Sequence, residues 1–137
     1  MIVAPRLFIE RKTATLYAAL EPRDFSDGAA VREQAARLRR GEPLEAALLV
    51  NAFTRPLLAL RPQLGEVREA MRRAGATPAL SGAGPTHYAA FTDLEEAARA
   101  AATLRQALGG QASIALSPAL PPREDGRAEK ASGDGPH

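Results

Sequence analysis

Cysteine and tryptophan are both absent from this chain of 137 residues. Without cysteine the protein can form neither disulfides nor thiolate metal sites. Aromatic residues make up only 4% of the sequence, so a hydrophobic core has to be built mainly from Leu, Ala, Val and Ile. Since 45% of the residues are apolar, such a core is large enough for one domain. The abundance of alanine favours close packing of helices on a sheet.

Long apolar runs and basic blocks are missing as well. The N-terminal apolar run is interrupted by Pro5 and Arg6, far short of the roughly 20 residues that a membrane helix needs. Eighteen Lys and Arg residues face sixteen Asp and Glu residues, a formal net charge of +2. The longest basic cluster, residues 37–40, closes a predicted helix, where cations complement the helix dipole. We therefore expect a cytoplasmic protein with neither a membrane nor a nucleic acid as partner.

The segment Leu80-Ser81-Gly82-Ala83-Gly84-Pro85-Thr86 is the most informative pattern in the sequence. Its glycines can adopt positive φ, and its bare backbone can offer several N–H groups to one anion or polar ligand. The dinucleotide fingerprint does not fit because His87 occupies the third glycine position, and a P-loop would need a following Gly-Lys-Ser/Thr. From these residues alone, an ordinary glycine-containing connection into a strand is an equal alternative.

Apolar periodicity predicts strands and helices as far as residue 117. The first strand is interpreted as an edge strand because Pro5 and Arg6 interrupt it. The predicted strands span residues 2–10, 76–80, 86–91 and 111–117. Helices are predicted at residues 13–20 and 62–75. Another predicted helix is capped by Ser26 or Asp27 and ended by Gly41, and the next begins at Pro43 with Leu44, Ala47 and Leu48 as its apolar face. The last one runs from a Thr92/Glu95 capping box to Gly109. The proline-rich, charged residues 118–137 are predicted to be a disordered tail.

Three motifs follow one another in a fixed order. They are N-A-F-T-R-P-L-L-A-L-R-P at residues 51–62, R-R-A-G-A at 72–76 and L-S-G-A-G-P-T-H-Y-A-A-F at 80–91. In this order they resemble the GHMP kinase superfamily, and within it the C-terminal half of the 4-diphosphocytidyl-2-C-methyl-D-erythritol kinases. The resemblance covers about residues 2 to 117, which we expect to form one domain. It implies an α+β fold, a ferredoxin-like antiparallel sheet of about four strands covered by helices.

The sequence departs from this family in three places. Thr54 stands where the family has an acidic residue, and Lys12 precedes Thr13 where a serine is usual. The phosphate-binding P-x-x-x-G-L-G-S-S-A motif and the catalytic lysine and aspartate belong to an N-terminal half that this sequence lacks. A methionine directly before a strand is what we expect of a chain cut inside a larger protein. The resemblance therefore implies that ATP and Mg²⁺ are bound mainly by the missing N-terminal kinase domain, and that this chain alone is inactive.

Thr13 and Tyr17 are four residues apart, so a helix would place both on one face. The resemblance implies that Tyr17 stacks on the cytosine of a cytidine diphosphate-linked methylerythritol substrate, and that Thr13 lies near the catalytic aspartate of the other half. The alternative is a half-buried packing ring and a helix-capping threonine. The resemblance also implies that the loop residues bind substrate: Ser81, Gly82, Ala83, Gly84, Pro85 and Thr86.

His87 is not assigned a catalytic or metal-binding role, because a lone imidazole makes a weak site. We expect it to be exposed on one face of a strand. Asp93 and Glu95 are interpreted as acidic residues in the first turn of a helix. A non-catalytic ligand-binding or subunit-pairing module is the alternative function, since small sheets covered by helices serve many purposes.

Overall fold

The computed structural model of the protein describes residues 1–9 and 12–119. Within them, one antiparallel sheet has the strand order β2-β3-β1-β4. Its strands are β1 (Ile2–Pro5), β2 (Ala79–Leu80), β3 (His87–Tyr88) and β4 (Ala112–Ala115). The α-helices are α1 (Lys12–Ala18), α2 (Ala29–Arg39), α3 (Thr54–Leu60), α4 (Gln63–Arg73) and α5 (Leu94–Leu108). Short 3₁₀ helices lie at Pro22–Asp24, Ala46–Leu48 and Gly109–Gln111.

The elements β1, α4, β2, β3, α5 and β4 follow each other as in a ferredoxin-like fold, with the matching strand order. We call these six elements the framework. Residues 6–62, which connect β1 to α4 and carry α1, α2 and α3, are called the insert. The predicted α+β fold with a four-stranded antiparallel sheet is confirmed.

Helices α4 and α5 cover the sheet because their apolar residues recur at helical spacing. In α4 the buried side chains are those of Leu64, Val67, Ala70 and Met71, as predicted. Gly75 ends the helix with a φ of +80°, a conformation that costs glycine little. The α4 face thereby packs over the sheet, with Val3 of β1 fully buried in the same core.

Helix α5 differs from its prediction at its beginning. The N-cap is Asp93 rather than Thr92, and its carboxylate accepts a hydrogen bond from the Glu96 N–H at 2.8 Å. Leu94, an apolar residue in the first turn, is 76% exposed. Further along the helix the spacing holds, since Leu104 is completely buried.

Strand β1 is central in the sheet, so its interpretation as an edge strand was wrong. It pairs with β3 through Ile2 and Val3 and with β4 over its whole length. Pro5 is tolerated because it is the last residue of the strand and lies beyond the part that pairs with β3. A proline near a strand end therefore gave no information about the position of the strand in the sheet.

Several element boundaries also differ. Strands β2 and β3 have two residues each, shorter than predicted. In the predicted β2, Pro78 has no N–H group to donate to a longer ladder. The segment after Pro43 forms only the short 3₁₀ helix Ala46–Leu48. The first predicted strand, residues 2–10, ends already at Pro5, so its prediction was too long. Its last residue and most of the predicted tail lie outside the described residues. No helix in the described part of the chain is long and apolar enough to span a membrane.

Candidate functional site

The glycine loop, residues 81–86, is a closed turn between β2 and β3. The Ser81 N–H donates to the Thr86 carbonyl at 2.9 Å, and the Gly84 N–H donates to the Ser81 carbonyl at 2.8 Å. Gly82 and Gly84 have φ values of +53° and +66°. Both glycines therefore adopt the left-handed conformation that the sequence predicts, and the loop returns the chain directly into β3.

The two glycines of the loop have different surroundings. A Cβ atom on Gly84 would lie 2.6 Å from a Leu57 methyl and 2.8 Å from a Leu80 methyl, so this glycine is required by packing. A Cβ atom on Gly82 would meet nothing within 4 Å. Among the described residues, the N–H groups of Gly82 and Ala83 have no hydrogen-bond partner. The outer edge of the loop therefore has free donors and open space for a ligand.

Asn51, a residue of the insert, holds this loop in place. Its side-chain amide donates to the carbonyls of Leu80 at 3.1 Å and Gly82 at 2.9 Å. Its amide oxygen accepts from the Phe53 N–H at 2.9 Å. In the sequence, Asn51 was noted only as the first residue of the motif at residues 51–62. The asparagine at the start of that motif was the available signal. Its role in positioning the loop could not be read from spacing, because its partners lie about 30 residues away.

Tyr17 lies on α1 with most of its ring in solvent. The residue is 61% exposed, and its ring forms a T-shaped pair with the Phe53 ring, at a centroid distance of 5.0 Å and an interplanar angle of 78°. The ring packs on Phe53, as the alternative expects, but it is more exposed than a half-buried ring. The structure leaves one side of Tyr17 free, as a stacking surface requires.

Helix α1 and the glycine loop are joined by a second apolar cluster. Leu16 is completely buried in it and meets residues from α3, α4 and the start of the loop. The cluster contains Ile9, Leu16, Leu57, Leu64 and Leu80, with Leu7, Phe53, Leu58, Leu60 and Ala83 packed against it. Within the described residues no hydrogen bond joins Thr13 or Tyr17 to the loop. The structure thus brings the two predicted regions onto one cluster without direct polar contact between them.

His87 is buried, so its predicted exposure was wrong. Only 1% of the residue is accessible, because the register of the sheet places it beside Val3 on the face covered by helices. Its Nδ1 lies 2.9 Å from the Pro85 carbonyl, to which it donates. Burial lowers the pKa of His87 to about 4, and the nearby Arg68 guanidinium adds to this effect. His87 is therefore a neutral core residue that holds the end of the loop.

A cluster of charged side chains lies beside Asn51. The Arg55 Nε and Nη2 atoms contact the two carboxylate oxygens of Asp24 at 2.6 and 2.5 Å. The Asp24 side chain is only 3% exposed. The hydrogen bonds from Arg55 lower the pKa of Asp24 to about 2, so the carboxylate is ionised at neutral pH. An open cavity of about 710 Å³ adjoins Asp24, Asn51 and Arg55.

The predicted site residues do not line this cavity. A second cavity, of about 470 Å³, lies against the end of β1, α4 and the end of α5 and has no predicted site residue in its wall either. In residues 1–9 and 12–119, no group of three or more His, Asp or Glu side chains could hold a metal ion. The described residues therefore offer a loop and an aromatic surface, but no metal centre of their own.

The family is established by comparison with known proteins. Residues 29–110 match the model of the family described as GHMP kinases C terminal. Because the match extends over more than half of the chain, the protein belongs to this C-terminal domain family of the GHMP kinases. The resemblance seen in the three sequence motifs is confirmed.

A solved structure has the same fold. It is the crystal structure of 4-(cytidine 5'-diphospho)-2C-methyl-D-erythritol kinase, with a TM-score of 0.62 and 32% sequence identity. The match covers 77% of this chain and 38% of that one, so the chain corresponds to well under half of that kinase. No curated protein sequence gives a significant match.

Proposed function

We propose that this chain is the acceptor-side part of an ATP-dependent kinase that phosphorylates a hydroxyl of a cytidine diphosphate-linked methylerythritol. The observation that supports this is the similarity to a kinase of that substrate, at 32% identity over 77% of the chain. The catalytic lysine and aspartate, and the main binding residues for ATP and Mg²⁺, belong in this proposal to an N-terminal half.

In this proposal the chain contributes positioning. The free side of the Tyr17 ring stacks on the cytosine, while Phe53 supports the ring through their T-shaped contact. The unpaired N–H groups at Gly82 and Ala83 donate to oxygens of the acceptor, as successive N–H groups in a tight turn do for anions. Thr13, exposed in α1, faces the catalytic half. Phosphoryl transfer depends mainly on such alignment of acceptor and donor.

The first test measures turnover. The chain alone is expected to release no ADP from ATP in a coupled assay with the cytidine diphosphate-linked substrate. Addition of the N-terminal half of a kinase of this family is expected to produce turnover. Kinase activity that co-purifies with the isolated chain through several columns would contradict the proposal that the catalytic residues lie in the N-terminal half. Failure of both binding and reconstitution would favour the alternative of a non-catalytic module.

The second test changes the aromatic surface. Tyr17→Ala is expected to raise the KM for the cytidine-bearing acceptor by about 5- to 150-fold in the reconstituted enzyme, because a lost stacking contact costs about 1–3 kcal/mol. The KM for ATP should change little, and Tyr17→Phe should be mild. Phe8, which is 85% exposed, provides the control variant Phe8→Ala. Equal effects on both substrates would show that Tyr17 only packs.

A further inference from the structure

We infer that Arg55 is a positioning residue, whose guanidinium fixes the end of α1, and with it Tyr17, relative to the segment that holds the glycine loop. The part of this inference that concerns substrate rests on the proposed function. The part that concerns the position of Tyr17 rests on contacts within the chain.

The guanidinium of Arg55 has partners on three sides. Besides Asp24, its Nη1 lies 3.1 Å from a Glu21 carboxylate oxygen. Its Nη2 donates to the carbonyl of Ala19 at 3.0 Å. Ala19 directly follows α1, where carbonyl groups have no partner within the helix. Arg55 therefore ties the end of α1 and the Pro22–Asp24 turn to the start of α3.

The same short segment, residues 51–55, contacts both the glycine loop and the helix that carries Tyr17. Asn51 holds the glycine loop, Phe53 supports Tyr17, and Arg55 holds the end of α1. These three residues lie within five positions of one another, at the beginning of α3. A change in the anchoring of α1 at Arg55 therefore changes the position of the Tyr17 ring relative to the loop.

The geometry favours arginine specifically. The two contacts to Asp24 form a paired arginine–carboxylate bond, which fixes orientation as well as distance. Asp24 also accepts from the Glu21 N–H at 2.8 Å, so its carboxylate is itself held in place. A lysine has one ammonium group and cannot reach Asp24, Glu21 and the Ala19 carbonyl in the same arrangement.

The test observes the ring directly. The chain has two tyrosines, Tyr17 and Tyr88, and no tryptophan, so labelling with 3-fluorotyrosine gives two ¹⁹F resonances that Tyr17→Phe assigns. The variants are Arg55→Met, Arg55→Lys and Asp24→Asn. The control is Arg40→Met, which removes an equally short ion pair, to Glu42 at 2.5 Å, at the end of α2. Circular dichroism reports whether each variant folds, and cytidine diphosphate is titrated into each.

We expect Arg55→Met to shift or broaden the Tyr17 resonance, with Tyr88 unchanged and Arg40→Met without effect. Arg55→Lys and Asp24→Asn should give intermediate shifts, and they decide the question if Arg55→Met does not fold. Where the wild-type chain binds cytidine diphosphate, Arg55→Met should weaken binding about tenfold, a typical coupling between residues in contact. An unchanged Tyr17 resonance in all folded variants would overturn the inference. If the wild-type chain does not bind the nucleotide and the reconstituted enzyme gives no turnover, the proposed function fails, while the resonances still decide the role of Arg55.

Discussion

The framework and the insert are stabilised in different ways. The framework has one large apolar core, in which residues of α4 and α5 pack on β1, β4 and Ala89, the residue after β3. The insert contributes to a smaller cluster and holds most of the ion pairs. Of the nine ion-pair contacts among the described residues, seven lie within residues 6–62.

The region that provides most of the stability is therefore different from the region that carries most of the candidate site. Apolar burial is non-directional and gives the framework most of its stability. Exposed ion pairs add little stability but restrict orientation when several share one partner. The candidate site lies where α1 and α3 of the insert meet the glycine loop of the framework. Its parts are therefore expected to open at a lower free energy than the core.

The largest expected effect compares two fully buried leucines, Leu104 in the framework and Leu16 in the insert. Leu104→Ala should lower the free energy of unfolding by about 3–5 kcal/mol and Leu16→Ala by about 2–3 kcal/mol, because a short helix relaxes into a cavity more easily. Urea unfolding measures both. Val31→Ala, at a 61% exposed position, is the control.

Hydrogen exchange sharpens this first comparison. Leu16→Ala should speed exchange of the α1 amides far more than that of the α4 and α5 amides. Equal acceleration in the two regions would mean that the insert and the framework unfold as a single unit.

The next effect compares the two loop glycines at the boundary between the regions. Gly84→Ala should cost about 2–4 kcal/mol, from left-handed strain together with overpacking against Leu57 and Leu80. Gly82→Ala should cost about 1–2 kcal/mol from strain alone, because its Cβ meets no neighbour. Thermal or urea unfolding gives both values.

Gly82→Val is the sharper functional probe, because Gly82 has open space around it. A folded Gly82→Val variant with normal kcat/KM in the reconstituted enzyme would show that the loop is purely structural.

The last effect is a dependence of stability on pH that comes from the framework and develops gradually as the pH falls. The folded pKa of His87 is about 4, below its ordinary value of 6.5. Between these pH values the unfolded chain binds a proton that the folded chain does not, so stability falls as the pH drops from about 6.5 to 4, by at most about 3 kcal/mol. Above this window the stability is fully present.

The matched variant His87→Leu should remove this slope. Asp24, in the insert, has a pKa lowered to about 2, so its contribution is lost only as the pH falls below about 4. Urea unfolding at several pH values separates the two. An identical slope for the wild-type protein and His87→Leu between pH 6.5 and 4 would contradict the buried, neutral state of His87.

Much of the framework could be predicted from the sequence, because its signals are local. Residues Leu64, Val67 and Met71 recur at helical spacing and are buried, and Gly75 ends the helix as expected. The glycine loop was found for the same reason, since positive φ at Gly82 and Gly84 is a property of the residue type. The order of the motifs indicated the family, which the comparison confirms.

Tertiary structure decided the rest. Whether β1 is an edge or a central strand depends on its pairing with β3 and β4, and that pairing is also what buries His87 beside Val3. Asn51 and Arg55 acquire their roles from partners some 30 residues away. Side-chain spacing along one element reports which face is apolar, but not which distant carbonyl or carboxylate a polar side chain meets. The sequence by itself therefore determined most elements of the framework, the loop and the family, but not α3 of the insert. Only the folded chain brought Tyr17, the glycine loop and the Arg55 ion pairs together around one segment.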